Sequence, residues 1–593
     1  MSSPAIETAP GEPDVASAVP VAPLATTSDR ARGRDLLIAS VVTVAALVPF
    51  LDKPFHIDDP LFIWTAQRVR VKPTDFYGFQ LNWYGFEQQM FEVTKNPPGV
   101  SFYLAATSLL LGLGEVGVHL ALLVPALGLV IGTYLVAARF TSRPLLAALA
   151  TVATPAWLVS ATTAMCDISM LCLWMWAVHF WLQALDTGRI GQFLAAGALV
   201  AAAALTKYFA ITLVPLLALV ALRRRRYPYE CALALLLPVI ALVLFDVYTT
   251  MKYDHGMVQD VVSYSGEIQQ AYDVSRLTQL LLGISFLGGS TVTFVLFLPR
   301  IGNWRGWLCA VGATTLLAAA CIRDGEFAGL AVNTEQGREW GVLLHLLLFL
   351  LAAVQAIALV GLELGRRRDE GTFLLVPWIV GTWIFAAFLN WTVNVRTLLP
   401  LVPALAILLA RCIDHVAATR SAASASTGWL RRGWPWDAIP LALALGVSLA
   451  VARGDYQYAV AQRALTEQAR QLFAGVEGQK YYQGHWGFQY YLERLPDLGA
   501  VPLKVSSEFV FPRDRMVAPG NNTNIYLGMP QLITEREQRL VPVRSWVITN
   551  AETLGVGFYM GQPGRPFPFR MVPAPDERVR SYNFEASFQM KLD

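Results

Sequence analysis

Charge is what this 593-residue chain has least of. Asp, Glu, Lys and Arg make up 15% of it, while hydrophobic residues reach 55%. A soluble domain carries about 25% charge, so a water-soluble globular protein is excluded and an integral membrane protein is expected. The mean hydropathy of +0.45 agrees. A net charge of +3 gives no reason to expect a nucleic-acid partner, which needs a concentrated basic surface. There is no glycine-rich phosphate loop, so no nucleotide site is read. The six cysteines (Cys166, Cys172, Cys231, Cys309, Cys321 and Cys412) lie in or beside apolar runs. None is spaced with a histidine as a metal ligand, and they read as small core residues without disulfides. No internal repeat of fixed period is visible.

What is present is a succession of fourteen apolar segments between residues 36 and 452. Several fall short of the ~20 residues that span a bilayer, which is tolerated where a helix packs inside protein or lines a cavity. Basic clusters at Arg30/Arg32/Arg34, Arg223–Arg226, Arg366–Arg368 and Arg431/Arg432 mark cytoplasmic ends, and put loops at 251–276, 322–338 and 390–394 outside. A cytoplasmic N-terminus and an outer C-terminus then need an odd number of crossings, about thirteen. The segment 145–163, interrupted by Pro155, is the one expected to be re-entrant or fused with a neighbour. That solution puts Asp167 and Lys207 at the outer side. The expected fold class is an all-α polytopic membrane domain over residues 35–452, in the cytoplasmic (inner) membrane. Before it comes a disordered cytoplasmic tail, 1–34, rich in Ala, Pro, Ser and Thr. After it, residues 453–593 read as a small extracytoplasmic α/β or α+β domain. Strands are expected at Val501–Val505 and Arg544–Ile548, a helix at Thr466–Phe473 and a turn at Pro519-Gly520-Asn521-Asn522.

The polar stretch 52–98 is the first extracytoplasmic loop. It opens with His56-Ile57-Asp58-Asp59-Pro60 and closes with Lys95-Asn96-Pro97-Pro98. A carboxylate at membrane-surface height can take a proton from an incoming hydroxyl, a contribution of roughly 10²–10⁴-fold. Adjacent residues point in different directions, so one base and one supporting group are expected of Asp58 and Asp59. The same residues before Pro60 are also good helix-capping chemistry. Lys95 is either a point charge for a phosphate or a snorkelling anchor. Asp167, Lys207 and Arg396 interrupt apolar runs, where an ionisable residue costs on the order of 2.5–3.5 kcal/mol. They therefore face a cavity or one another, and an Asp167–Lys207 ion pair is one outcome. His56, His255 and His485 could join carboxylates around a divalent metal, although no spacing requires it.

Taken in order, these motifs form a pattern: an acidic pair after the first span, a lysine and two prolines before the second, and an Asp after a Thr/Met-rich break. Then come Leu205-Thr206-Lys207 and a late Arg396 before Leu398-Leu399-Pro400-Leu401. The pattern resembles the GT-C polyprenyl-phosphate-sugar glycosyltransferases, in particular protein O-mannosyltransferases and bacterial lipid A aminoarabinose transferases. The resemblance implies a polyprenyl-phosphate-linked sugar donor and a hydroxyl acceptor on a lipid, glycan or protein. It implies transfer with inversion at the outer face. It assigns the base to Asp58, with Asp59 standing where the family usually has Glu. It assigns donor contacts to Lys95, Asn96, Asp167, Lys207, Tyr208 and Arg396. The motif Gly484-His485-Trp486-Gly487-Phe488-Gln489-Tyr490-Tyr491 is similar to one in bacterial members and has no role attached. The competing readings are a polytopic transporter or lipid flippase, and a non-catalytic partner in envelope assembly. A transporter does not account for the long first loop.

Overall fold

The computed structural model describes residues 29–593 apart from 84–86, 273, 303, 335–336, 424–432, 474–479, 484–485, 496–499, 503–521, 528–540, 548–557, 562, 571–582 and 590–593. Among the described residues, eight helices are long and apolar enough to cross a membrane, or up to ten if two bent pairs each count as one span. Three shorter apolar helices accompany them: Gly99–Leu111, Ile190–Ala204 and Arg305–Cys321. Several segments expected to cross are therefore stubs, such as Gly99–Leu111 with 13 residues, against the ~20 a span needs.

The bundle places its apolar residues in two ways. Trp157, Trp174, Trp181 and Trp378 are fully buried between helices. The helix Pro228–Tyr253 has a mean hydropathy of 2.5, yet only 17% of its most apolar window is buried. Leu236, Val243 and Leu244 stand exposed along it. An apolar face left open in this way is a membrane surface. The chain is a predominantly helical, multi-pass membrane protein.

The first helix, α1, covers Asp29–Leu47, so residues 29–34 of the expected tail are helical. Residues 1–28 lie outside the described residues, as do residue 485, residues 503–505, residue 548 and most of the expected turn at 519–522. A second helix, α2, covers Asp59–Val71 inside the first polar loop. The segment 145–163 is a broken pair, Pro144–Val152 and Pro155–Ala161, bent by 63°. Pro155 cannot donate a backbone bond, and the Thr154 hydroxyl caps the second half by accepting from the Trp157 amide at 3.2 Å. The break leaves residues 162–166 as a turn from which the next helix starts at Asp167. The loop expected at 251–276 is largely a helix, Met257–Tyr272.

The last long helix runs unbroken over Gly433–Phe473. The expected boundary at 452 falls inside it, and the helix expected at Thr466–Phe473 is its end. Beyond it lies a mixed five-stranded sheet, in the order Val541–Val547, Asn583–Gln589, Asn522–Leu527, Lys480–Gln483, Ala500–Pro502. A strap, residues 558–570, returns from this region to the helical bundle. The Gly561 amide donates to the Val393 carbonyl at 2.7 Å, the Ser285 hydroxyl to the Pro566 carbonyl at 2.7 Å, and Phe567 stacks on Phe327.

Candidate active site

Four of the residues singled out from the sequence meet in one line of charges. The Lys207 ammonium donates to Asp167 Oδ1 at 2.5 Å. Arg396 Nε donates to Asp167 Oδ2 at 2.8 Å, and Arg396 Nη1 donates to Asp58 Oδ2 at 3.2 Å. The local chain explains each position. Asp167 opens the helix Asp167–Thr187, where a carboxylate meets the positive end of the helix dipole. Arg396 sits on the short helix Val395–Leu398, capped by the Asn394 side chain, which accepts from the Thr397 amide at 2.8 Å. The strap holds this helix, with the Val395 amide donating to the Phe558 carbonyl at 3.2 Å. Lys207 is brought in by Gly99, whose amide donates to the Leu205 carbonyl at 2.9 Å. A Cβ on Gly99 would lie 2.6 Å from that oxygen, so the Pro97-Pro98-Gly99 approach closes only with glycine there.

Asp58 and Asp59 separate sharply. Asp58 occupies the N-cap position of α2 but makes no capping bond with its side chain. The capping role left open by the sequence is thus not taken up, and the carboxylate is 36% exposed. Its pKa is raised: burial outweighs the lowering by Arg396. Asp59 is 1% exposed. Its Oδ1 accepts from the Ala164 amide at 2.8 Å, and its Oδ2 accepts from the His56 amide at 3.1 Å and faces His56 Nδ1 at 3.3 Å. Between the two regions Ile57 has φ of 50°. A left-handed β-branched residue costs on the order of 1–3 kcal/mol and persists only where its neighbours over-determine it. Here the bonds of His56 and Asp59 do so, and they turn Asp58 outward.

Behind Asp59 lies a sealed network. His56 Nε2 faces Asp455 Oδ1 at 3.2 Å. Lys53 pairs with Asp455 and donates to the Thr162 hydroxyl at 3.1 Å. The Tyr559 hydroxyl donates to Asp455 at 3.0 Å. Lys53, His56 and Asp455 are all fully buried. Burial alone would lower the His56 pKa, but the Asp455 and Asp59 carboxylates raise it above 6.5 against the opposing charge of Lys53.

The remaining sequence candidates fall outside the line of charges. Lys95 pairs with Asp260 at 2.5 Å and donates to the Glu92 carbonyl at 2.9 Å. Asn96 reaches the edge of the site, its Oδ1 3.6 Å from Cys166 Sγ. Tyr208 lies against Phe245, with ring centroids 6.4 Å apart, and its hydroxyl has no partner among the described residues. No group of three or more His, Cys, Asp or Glu among the described residues is arranged to hold a metal. His56 in particular has both ring nitrogens occupied by carboxylates. The motif around Trp486 clamps the loop. The Phe55 amide donates to the Tyr491 hydroxyl at 2.8 Å, and a Cβ on Gly487 would lie 2.3 Å from the Phe55 carbonyl.

Sequence reasoning passed over Lys53, Asp455 and Tyr559. The one available signal was an acid, Asp455, placed just past the last apolar run.

This arrangement, a bundle of membrane helices with a line of alternating charges at the mouth of its first loop, defines a polytopic membrane protein with a built polar site. Residues 95–248 match the family described as dolichyl-phosphate-mannose-protein mannosyltransferase. The match covers about a quarter of the chain, the part that holds Lys95, Asp167 and Lys207. No curated protein sequence gives a significant match. Among solved structures, the chain is similar to the oligosaccharyltransferase AglB of Archaeoglobus fulgidus, solved with an inhibitory peptide and a dolichol-phosphate. The identity is 13%, 75% of this chain and 59% of that one are covered, and the TM-score is 0.43. It is also similar to ArnT of Cupriavidus metallidurans bound to undecaprenyl phosphate, with 16% identity, 77% and 84% coverage and a TM-score of 0.37. The chain thus spans less than two thirds of the archaeal enzyme's length.

Proposed function

We propose that this protein is an inverting membrane glycosyltransferase. It moves a sugar from a polyprenyl-phosphate donor to a hydroxyl of a lipid, glycan or protein acceptor at the outer face of the cytoplasmic membrane. The N-terminus is cytoplasmic and the region after residue 453 is outside. The observation that carries this reading is the line Lys207–Asp167–Arg396–Asp58, in which a partly exposed carboxylate at the start of the first loop meets Arg396, and Asp167 holds both cations.

Asp58 is the general base. It takes the proton from the acceptor hydroxyl, whose oxygen attacks the anomeric carbon from the side opposite the phosphate. The bond from that carbon to the phosphate oxygen breaks, and polyprenyl phosphate leaves with the electron pair. Such a leaving group needs positioning and charge stabilisation more than activation. Arg396 and Lys207 supply that charge, with Asp167 holding both in place. The looser of the two Arg396 contacts is the one to Asp58, 3.2 Å against 2.8 Å to Asp167. A donor phosphate that draws the guanidinium away removes the influence lowering the Asp58 pKa. The base is thereby strengthened when the donor is in place. Asp59 anchors the loop, Asn96 and Tyr208 line the approach, and Lys95 steers the loop through Asp260.

The test is transfer by the purified full chain, given polyprenyl-phosphate-linked hexose and pentose donors with envelope lipids and glycans. Released polyprenyl phosphate and glycosylated product are read by mass spectrometry. Asp58→Asn lowers the rate by roughly 10²–10⁴-fold. Transfer by this variant at near wild-type rate would remove the base from Asp58.

A further inference from the structure

A cavity of about 480 Å³ lies beside α2, apart from the line of charges, with Trp64, Gln67, Gln80, Asn82, Glu87 and Glu493 on its walls. Its size falls in the range of ligand sites, about 300–1,000 Å³. Three parts of the chain build it: one flank of α2, the antiparallel strands Gln80–Asn82 and Glu87–Gln89, and the end of the helix Trp486–Leu492. Trp64 is held edge-on to Trp83, with ring centroids 6.2 Å apart, and tilted against Tyr490 at 5.9 Å. Its ring is thus fixed in place, partly exposed to the cavity. Among the described residues, the one cation on the wall, Arg68, is matched by Asp75 and donates to the Gly78 carbonyl at 2.7 Å. The other groups lining the space are the rings of Trp64 and Phe79, three carboxamides, two carboxylates and the apolar Val71 and Leu81; one of the carboxylates, Glu493, also accepts from the Gln489 side chain at 2.9 Å.

We propose that this groove binds an uncharged glycan chain, the acceptor of the transfer reaction. The chemistry selects that class. A pyranose has an apolar C–H face that covers an indole ring, and a rim of hydroxyls that both donate and accept. Carboxamides answer both functions and carboxylates accept. A phosphorylated or otherwise anionic chain meets Glu87 and Glu493 and is repelled. An acyl chain carries no group that answers the carboxamides and carboxylates. The assignment as acceptor rests on the glycosyltransferase reading above; the assignment as a glycan site does not.

The experiment is isothermal titration of the purified full chain in detergent with maltotetraose, cellotetraose and chitotetraose, each against wild type, Gln80→Ala and Glu87→Gln. Saturable binding of at least one tetrasaccharide by wild type is expected. Its affinity falls roughly tenfold in Gln80→Ala or Glu87→Gln, as the loss of a ligand hydrogen bond implies. Absence of saturable binding to all three sugars, or binding that neither groove variant weakens, overturns the site. If the sugar binds as expected but wild type transfers nothing, the groove stands and the glycosyltransferase reading falls.

Discussion

Asp58 and Asp59 are consecutive residues, yet one faces a half-open line of charges and the other a closed one. In the open line, Asp58 is 36% exposed and its contact with Arg396 is 3.2 Å long. In the closed network, Lys53, His56 and Asp455 have no exposure at all, and every carboxylate oxygen of Asp59 and Asp455 meets a donor or the His56 ring. Buried charges are tolerated only when so fully matched. The difference teaches how a loop can be rigid and reactive at once. The closed side holds the backbone, including the left-handed Ile57, and the open side is left one loosely held carboxylate with a raised pKa.

The comparison breaks most readily on the closed side. Asp455→Leu leaves the Lys53 ammonium buried without its partner, which costs about 3–5 kcal/mol. Thermal melting in detergent should register the loss, and adding Lys53→Met should recover part of it. A double variant no more stable than Asp455→Leu would mean that the pair is not the source. A smaller effect follows from pH. The folded pKa of His56 is raised above 6.5, so its stabilising contribution is complete below about pH 6.5 and is lost as pH rises through the folded value. Melting temperature should decline on the alkaline side of neutrality, and His56→Gln should flatten that decline; an equal decline in the variant would assign it to another group. The smallest effect is that of Thr162→Val. It removes one acceptor from Lys53 at 3.1 Å while the ion pair stays, so about 1 kcal/mol of stability is lost. A loss several times larger would show that the turn 162–166 depends on this bond.

The open line was legible in the sequence because of its cost. Asp167, Lys207 and Arg396 each interrupt an apolar run, and a charge there must find a partner. Their order along the chain supplied the rest. The closed network was not legible, for a physical reason. Lys53 stands beside Asp52 at the end of the first apolar run and reads as an interfacial charge, and Asp455 follows Arg453 in the same way at the end of the last run. Nothing in local periodicity links residues 402 positions apart. Tyr559 arrives on a strap whose Gly and Pro content predicts only irregular backbone. The pairing of Lys95 was hidden for a related reason. Its partner Asp260 lies in a stretch expected to be loop, which forms a helix and carries the acid to it. Helix positions were readable where apolar runs were long, and boundaries were lost where a helix continued beyond its apolar part, as at 452.

The most direct measurement sets the two neighbours side by side. Single-turnover transfer and thermal melting would be recorded for Asp58→Asn and Asp59→Asn in the same preparation. The account predicts that Asp58→Asn loses roughly 10²–10⁴-fold in rate and melts like wild type, while Asp59→Asn melts at a lower temperature. An Asp58→Asn protein that still transfers at near wild-type rate, beside a stable Asp59→Asn protein that does not, would contradict it.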